Sequence, residues 1–281
     1  MNSHPLQSTL KTSYNEKPLT VNFQANNICN SKCLMCNIWQ LKKQDEISVS
    51  KFQKILSDPF FSEVQNVGIT GGEPTLRDDL FELYKILPAV LPKLKGASFI
   101  TNGLLHEKTI EVYSRINDFY SQKRLSFGGM VSFDGVGEIH DKVRGKKNAF
   151  EKTSKALFGL RSRGVQVTVC CTIVKENVYG IHDLLAWCKS NNFYVRFRIA
   201  EFINRLSNEN LDSQIRNFDE YETKHLVSFF HLLITEYEND ESVKATYYSI
   251  LSLLIGGKRI VECPYQNLDA INLDSEGSYS V

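Results

Sequence analysis

The stretch LTVNFQANNICNSKCLMC, residues 19–36, decides the predicted fold. Its first seven residues alternate apolar and polar side chains, which is typical of a β-strand. The loop that follows carries Cys29, Cys33 and Cys36 in a C-x3-C-x2-C pattern. Barrel enzymes built from parallel strands place their chemistry in the loops after the strands. The sequence therefore predicts a strand that ends in a metal-binding loop.

The cysteine pattern favours an iron–sulfur cluster over other sites. Three thiolates can bind three irons of a 4Fe–4S cubane and leave the fourth iron without a protein ligand. A structural zinc site needs four ligands, and the His residues nearest to the loop along the sequence are His4 and His106. A third alternative is that the cysteines are unligated core residues. We therefore predict one cluster with an open iron, held by Cys29, Cys33 and Cys36.

Strand-like and helix-like segments alternate along the next part of the chain. Five more β-rich runs follow, at 64–70, 96–101, 129–134, 165–174 and 194–200. Between them, residues 78–91 and 180–192 place apolar side chains at helical spacing. Such alternation implies parallel strands joined by right-handed crossovers. The expected fold class is α/β, a partial (βα)6 TIM-like barrel, over residues 18–200.

The pattern changes beyond about residue 201. Two helices are predicted in succession, at 218–237 and 242–254, before a Gly256-Gly257 stop signal. Residues 201–281 are therefore expected to form a mainly helical C-terminal extension. Residues 1–17 are expected to be a polar leader that lacks the apolar core of a secretory signal.

The composition limits the classes of binding partner and the cellular location that we expect for this protein. Because 33 Lys and Arg residues balance 32 Asp and Glu residues, nucleic acid is disfavoured as a partner. No run approaches the roughly 18 apolar residues that span a bilayer, so we expect a cytoplasmic protein without a membrane segment. Seven cysteines, three of them in one loop, favour metal ligation over disulfides. Cys170, Cys171 and Cys188 are expected to be buried thiols.

A second motif, Gly71-Gly72-Glu73-Pro74, ends the second predicted strand. Together with the cysteine loop it resembles the radical S-adenosylmethionine (SAM) superfamily, and the resemblance covers about residues 18–200. The resemblance implies that the cysteines hold a 4Fe–4S cluster and that SAM chelates its open iron. In similar enzymes the GGEP segment binds the SAM amino group. Glycines permit close backbone approach, and Glu73 would offer negative charge to the ammonium group.

Less specific motifs resemble those of particular members of the superfamily. Ser132-Phe133-Asp134-Gly135, with Arg144 after it, resembles members with SPASM or twitch extensions, such as anaerobic sulfatase maturases and peptide-modifying maturases. The resemblance implies that Ser132 and Arg144 bind the SAM carboxylate, for which a hydroxyl and a guanidinium group are suitable donors. A surface ion pair is the alternative for Arg144.

Other SAM contacts are implied by position alone. Thr101-Asn102-Gly103 resembles the family's turn after the third strand, although Asn-Gly is also a general turn signal. Met35 precedes the last cysteine, and Ile173 and Val174 end the fifth predicted strand, where the family has an adenine wall. Core packing is the alternative for these three apolar residues. The expected SAM contacts are therefore Asn102, Met35, Ile173 and Val174 in addition to those above.

The implied reaction is reductive cleavage of SAM to a 5'-deoxyadenosyl radical, which abstracts hydrogen from a substrate. An external one-electron donor such as flavodoxin or ferredoxin is expected. The substrate is predicted to be a peptide or protein side chain, and the alternative is a small molecule such as a sugar, aminoglycoside or nucleotide. A zinc-binding interaction protein is the alternative that is not an enzyme. No catalytic side chain is assigned.

The tail resembles the opening of a SPASM or twitch module, which holds auxiliary clusters. Cys263 begins this segment, and the family's next cysteine would directly follow Val281. We expect the chain to be part of a longer product, and the alternative is a lost module with Cys263 as an ordinary thiol. Residues 201–281 are thus predicted to be an incomplete SPASM or twitch module, and only the SAM cluster is expected.

Overall fold

The computed structural model describes residues 15–280. Residues 1–14 of the predicted polar leader, which spans 1–17, lie outside the described residues. The described strands form one sheet: β1 (Thr20–Gln24), β2 (Asn66–Thr70), β3 (Gly96–Thr101), β4 (Ser126–Ser132), β5 (Gln166–Ile173), β6 (Val195–Ile199), β7 (Ala270–Leu273) and β8 (Tyr279–Ser280).

Strands β1 to β6 lie side by side in chain order and are parallel. A doubly wound sheet reverses its strand order at a switch point, whereas this order runs on without a reversal. The strands therefore wind in one direction, as in a TIM barrel. Over the described residues the sheet ends at β6 and β8, so the barrel is partial. The predicted α/β class and partial (βα)6 TIM-like barrel are confirmed.

Helices follow the strands and cover the outside of the sheet. The first six are α1 (Val49–Leu56), α2 (Leu80–Val90), α3 (His106–Gln122), α4 (Glu138–Arg144), α5 (Ala149–Ser162) and α6 (Ile181–Ser190). The apolar faces of all of these except α4 pack on one large core in which the Phe99 and Tyr113 rings stack with centroids 3.9 Å apart. Val143 of α4 packs in a smaller cluster with Met35. Within the described residues, the chain contains no helix with the length and apolar character needed to cross a bilayer.

The C-terminal region is mainly helical, as predicted, but it also extends the sheet. Helix α7 (Glu220–Leu232) continues as a π-helical turn at Leu233–Tyr237, and α8 (Glu241–Leu254) follows. Strand β7 pairs in parallel with β1, and β8 pairs antiparallel with β7. The sequence prediction missed these two strands because they have only 4 and 2 residues, which is too short for a clear alternation.

Small and polar side chains line the concave face of the sheet. Along β2, Val67 and Ile69 are buried in the core, and Gly68 lies between them. A Cβ atom on Gly68 would lie 3.0 Å from Asn22 Oδ1 on β1 and 3.2 Å from Ser98 Oγ on β3. These three residues therefore share the inner face. Their small volume leaves room inside the barrel.

Two glycines join the loop after β2 to the loop after β1. Gly72 N–H donates to Asn26 O at 2.9 Å, and Glu73 N–H donates to Ile28 O at 2.8 Å. A Cβ atom on Gly72 would lie 1.9 Å from Ile28 O, and Gly71 has a φ of +155°. Larger residues would therefore push the two loops apart. The glycines are needed here for contact between protein segments.

The buried carboxylate of Glu73 joins the same loop to the end of β3. Its Oε1 accepts hydrogen bonds from Thr101 Oγ1 at 2.7 Å, Thr75 Oγ1 at 2.7 Å and Thr75 N at 3.2 Å. Its Oε2 accepts from Asn102 N at 2.7 Å. Burial raises the pKa of Glu73, and these donors oppose the rise. Four donors thus satisfy a carboxylate that is 1% exposed.

This arrangement corrects the predicted role of the Glu73 side chain. We expected the carboxylate to offer negative charge to the SAM ammonium group. Because both oxygens are occupied by Thr75, Thr101 and Asn102, the carboxylate is not presented to a ligand. It holds two strand ends together instead.

Glu73→Gln is expected to destabilise the protein by about 1–3 kcal/mol. In either orientation, the new amide nitrogen faces a backbone N–H, that of Thr75 or that of Asn102. Two donors would then face each other inside the protein. Urea unfolding would measure the change, with Glu82→Gln as the control because Glu82 forms an exposed pair with Lys85. A loss no larger than that of the control would contradict the role of Glu73.

Candidate functional site

A cavity of about 210 Å³ lies at the carboxyl ends of the parallel strands. Its wall includes most of the residues that the sequence predicted for the cluster and SAM. Those brought together are Cys29, Cys33, Met35, Cys36, Gly71, Gly72, Asn102, Ser132 and Arg144. They come from loops that are distant in sequence, and only the barrel brings them to one place.

The cysteine loop is held against the end of α4. Lys32 N–H donates to Arg144 O at 3.0 Å, and Leu34 N–H donates to Val143 O at 2.9 Å. Gly145, at a φ of +57°, ends this helix, and a Cβ atom there would lie 2.3 Å from Lys32 O. A glycine is therefore required at 145. The contact positions the three cysteines relative to the Arg144 side chain.

Polar side chains lie close to two of the sulfur atoms. Asn102 Nδ2 lies 3.7 Å from Cys29 Sγ, and Arg144 Nη1 lies 3.5 Å from Cys33 Sγ. Ser31 Oγ is 3.2 Å from the same Cys33 sulfur. Hydrogen bonds to ligand sulfurs are among the factors that set the reduction potential of an iron–sulfur cluster. Asn102 therefore contacts a predicted cluster ligand as well as the cavity.

Burial favours the neutral thiol of Cys29 and of Cys36. It raises the pKa of Cys29 to about 12 and that of Cys36 to about 11. A bound metal displaces such protons, because the ligand is the thiolate. We therefore expect the thiolate forms of Cys29 and Cys36 when a metal centre is bound.

The arrangement of the donor set fits a cubane better than a single ion. Over residues 15–280, no three His, Cys, Asp or Glu side chains converge on one metal position. A mononuclear zinc site requires such convergence, whereas each ligand of a cubane binds a different iron. Three separate cysteines on one short loop thus suit a cluster with an open iron.

A buried ion pair places Arg144 at the cavity wall. Its Nη2 lies 2.6 Å from Asp134 Oδ2, and Asp134 Oδ1 accepts from Thr172 N at 2.8 Å. Burial is the largest single influence and lowers the pKa of the Arg144 guanidinium, but Asp134, Cys33 and Cys29 together outweigh it, so the pKa of Arg144 is raised. Arg144 Nε has no hydrogen-bond partner in the part of the chain that the structure describes. Arg144 and Ser132 line the same cavity, and a guanidinium and a hydroxyl group are suitable donors to a ligand carboxylate.

Four of the predicted contacts do not line this cavity. They are Glu73, Pro74, Ile173 and Val174. Ile173 is buried in the main core, and Val174 packs in a small cluster with Met35. Successive side chains of a strand point to opposite faces, so at the end of β5 it is Thr172 that faces the cavity. Ile173 and Val174 thus do not line this cavity, and the adenine wall stays a prediction.

Other wall residues were not predicted. Arg198 and Arg205 line the cavity, as does Cys170. Cys170 is buried as expected, but it faces the cavity, whereas Cys171 and Cys188 lie in the core. The alternation Val-Arg-Phe-Arg-Ile in β6 is the signal that could have indicated the inward arginine.

Solved structures share this fold. Superposition on the crystal structure of Streptococcus suis SuiB bound to the precursor peptide SuiA gives a TM-score of 0.65, with 15% identity, over 95% of this chain and 60% of that chain. This likeness supports the architecture of the partial barrel.

Curated relatives are similar at the sequence level. The antilisterial bacteriocin subtilosin biosynthesis protein AlbA of Bacillus subtilis is 31% identical over 170 residues, which is 59% of this chain and 36% of AlbA. The Fe-coproporphyrin III synthase of Methanosarcina barkeri is 34% identical over 185 residues, 63% of this chain and 43% of that protein. The chain thus spans less than half the length of these relatives.

The family comparison covers the region that contains the site. Residues 24–188, more than half of the chain, match the Radical SAM superfamily. The match includes the cysteine loop, the GGEP loop, Ser132 and Arg144. Enzymes of this family use a 4Fe–4S cluster and SAM, and the matched residues surround one cavity whose donors suit both groups. The chain belongs to the radical SAM superfamily of enzymes.

Proposed function

We propose that Cys29, Cys33 and Cys36 hold a 4Fe–4S cluster in this chain and that its substrate is a peptide. The observation that carries the first part is the convergence of these cysteines with Gly71, Gly72 and Arg144 on one cavity. The second part is supported by similarity to a bacteriocin biosynthesis protein and to a structure bound to a precursor peptide.

The SAM contacts would divide between two sides of the cavity. The backbone of Gly71 and Gly72 would bind the amino group, because carbonyl oxygens accept from an ammonium. Ser132 and Arg144 would bind the carboxylate, with Arg144 held in place by Asp134. Met35 lines the cavity beside two cysteines and would contact the adenine. Asn102 would position Cys29 through its side-chain amide.

The protein orients and shields the reactants. When bound, the cluster and SAM supply an electron and a 5'-deoxyadenosyl radical that removes hydrogen from the substrate. Asp134 fixes the Arg144 guanidinium, and Glu73 fixes the loop that carries Gly71 and Gly72. A rigid wall of this kind limits where the substrate hydrogen can be removed. An external one-electron donor such as flavodoxin or ferredoxin would reduce the cluster.

Residues 201–281 would form the beginning of a SPASM or twitch extension. Helices α7 and α8 are followed by the short β7–β8 hairpin, which joins the sheet at β1. Cys263 is half-buried and precedes this hairpin. Because this segment resembles the opening of a SPASM or twitch module, Cys263 would be a ligand of an auxiliary cluster there.

A small-molecule substrate is the second candidate. The Fe-coproporphyrin III synthase is 34% identical to this chain, slightly more than AlbA at 31%. This similarity supports a compound other than a peptide as the alternative substrate.

Anaerobic reconstitution with iron and sulfide is expected to give about four irons and four sulfides per chain. With dithionite, the product should convert SAM to 5'-deoxyadenosine. The Cys29→Ala/Cys33→Ala/Cys36→Ala variant should lose both properties, because thiolates are the ligands. Cys188→Ala is the matched control, since Cys188 lies in the core. One bound zinc per chain and no 5'-deoxyadenosine would instead support the zinc-binding alternative.

A precursor peptide encoded beside the gene is expected to donate hydrogen to the adenosyl group. If the peptide is synthesised with deuterated side chains, deuterium should appear in the 5'-deoxyadenosine, as measured by mass spectrometry. The undeuterated peptide is the control. A nucleotide or coproporphyrin that transfers hydrogen while the peptide does not would contradict a peptide substrate.

A further inference from the structure

A second and larger cavity adjoins the cysteine cavity. Its volume is about 600 Å³, and β6, α7, α8 and residues 259–265 surround it. Arg198, Ile199 and Glu201 line both cavities. The two spaces therefore meet at the carboxyl end of β6. A group bound in the larger cavity would lie next to the place where SAM is proposed to bind, in a volume typical of ligand sites.

Arginines dominate the charged groups in the wall of the larger cavity. The four arginines are Arg196, Arg198, Arg216 and Arg259. Among the carboxylates, Glu201 already pairs with Arg216 at 2.6 Å and lies 3.7 Å from Arg259. Glu262 accepts a hydrogen bond from Asn267 Nδ2 at 2.8 Å. Within this wall, Glu201 thus offsets the charges of Arg216 and Arg259.

The two arginines of β6 are not paired. Considering residues 15–280, no carboxylate lies within 4.0 Å of a nitrogen of Arg196 or Arg198, and neither side chain donates a hydrogen bond. Val195 and Phe197 alternate with them and are buried in the core. The strand therefore holds both guanidinium groups on the face opposite the core.

Such a pair favours an oxyanion. Residues two apart on a strand are separated by roughly 7 Å, so their charges repel across a half-enclosed space. A carboxylate would relieve this repulsion, and the planar guanidinium group binds carboxylates with two parallel hydrogen bonds. In a peptide, the side chains that offer a carboxylate are Asp and Glu.

We propose that the larger cavity binds an Asp or Glu side chain of the peptide substrate, with Arg196 and Arg198 as the carboxylate-binding residues. This inference rests on the proposed peptide function and names its substrate class, an acidic peptide. The bound carboxylate would anchor the peptide so that a neighbouring residue extends past Arg198 into the cysteine cavity. The position of the acidic residue would then select which hydrogen is removed.

Binding can be measured on the reconstituted protein in the presence of SAM. Two fluorescein-labelled peptides serve as probes, one of alternating glycine and glutamate and a matched one of alternating glycine and glutamine. Fluorescence anisotropy measures the binding of each peptide. The glutamate peptide is expected to bind and the glutamine peptide to bind at least about tenfold more weakly. Arg196→Gln and Arg198→Gln should each weaken binding of the glutamate peptide about tenfold. Arg163→Gln, an exposed arginine after α5, is the control that should not.

Competition on the unaltered protein provides a test that does not depend on folding of the variants. N-acetylglutamate amide should displace the labelled peptide, and N-acetylglutamine amide should not. Equal binding of both peptides, or variants that match the control, would overturn the proposal. Stronger displacement by inorganic phosphate or coproporphyrin III than by an unlabelled glutamate peptide would overturn it as well. Deuterium transfer from the precursor peptide to 5'-deoxyadenosine in the same preparation separates failure of this inference from failure of the proposed function.

Discussion

The buried carboxylate of Glu73 is the interaction on which the site depends. It accepts four hydrogen bonds from the loops after β2 and β3, while the backbone of its own loop is hydrogen-bonded to the segment before Cys29. Three strand ends are thereby joined: the Glu73 side chain links the ends of β2 and β3, and backbone hydrogen bonds of Gly72 and Glu73 link them to the loop after β1. A buried carboxylate is stable in this position because its donors replace the water that it loses. The geometry of the cysteine loop therefore depends on a residue outside the cavity.

The buried ion pair between Asp134 and Arg144 has a related role. Asp134 receives a backbone hydrogen bond from β5 and pairs with Arg144, whose helix holds the cysteine loop. The GGEP and SFDG motifs thus each contribute an acidic residue, Glu73 and Asp134, that stabilises contacts within the protein itself. The groups left for ligands are backbone atoms and the side chains of Ser132 and Arg144, which line the cavity. Such fixed groups need no rearrangement when a charged ligand binds.

The sequence predicted the parts of this arrangement that are local. The strands were predicted by alternation, and the cysteine loop and the GGEP loop were recognised from residue types at short spacing. The errors have one physical cause, which is that a side chain's direction depends on its three-dimensional neighbours. Glu73 was expected to face the ligand and faces Thr101, and Ile173 was expected at the cavity and lies in the core. The short strands β7 and β8 exist only because β1 offers an edge to pair with.

The order of strands and helices, the three cysteines and membership of the radical SAM family were determined by the sequence itself. These features follow from periodicity and from residue types at fixed spacing, which do not require long-range contacts. The tertiary structure alone decided which side chains reach the cavity and that Arg196 and Arg198 remain without a carboxylate partner among the described residues. Burial and pairing depend on contacts between segments far apart in the chain, and only the folded barrel creates those contacts.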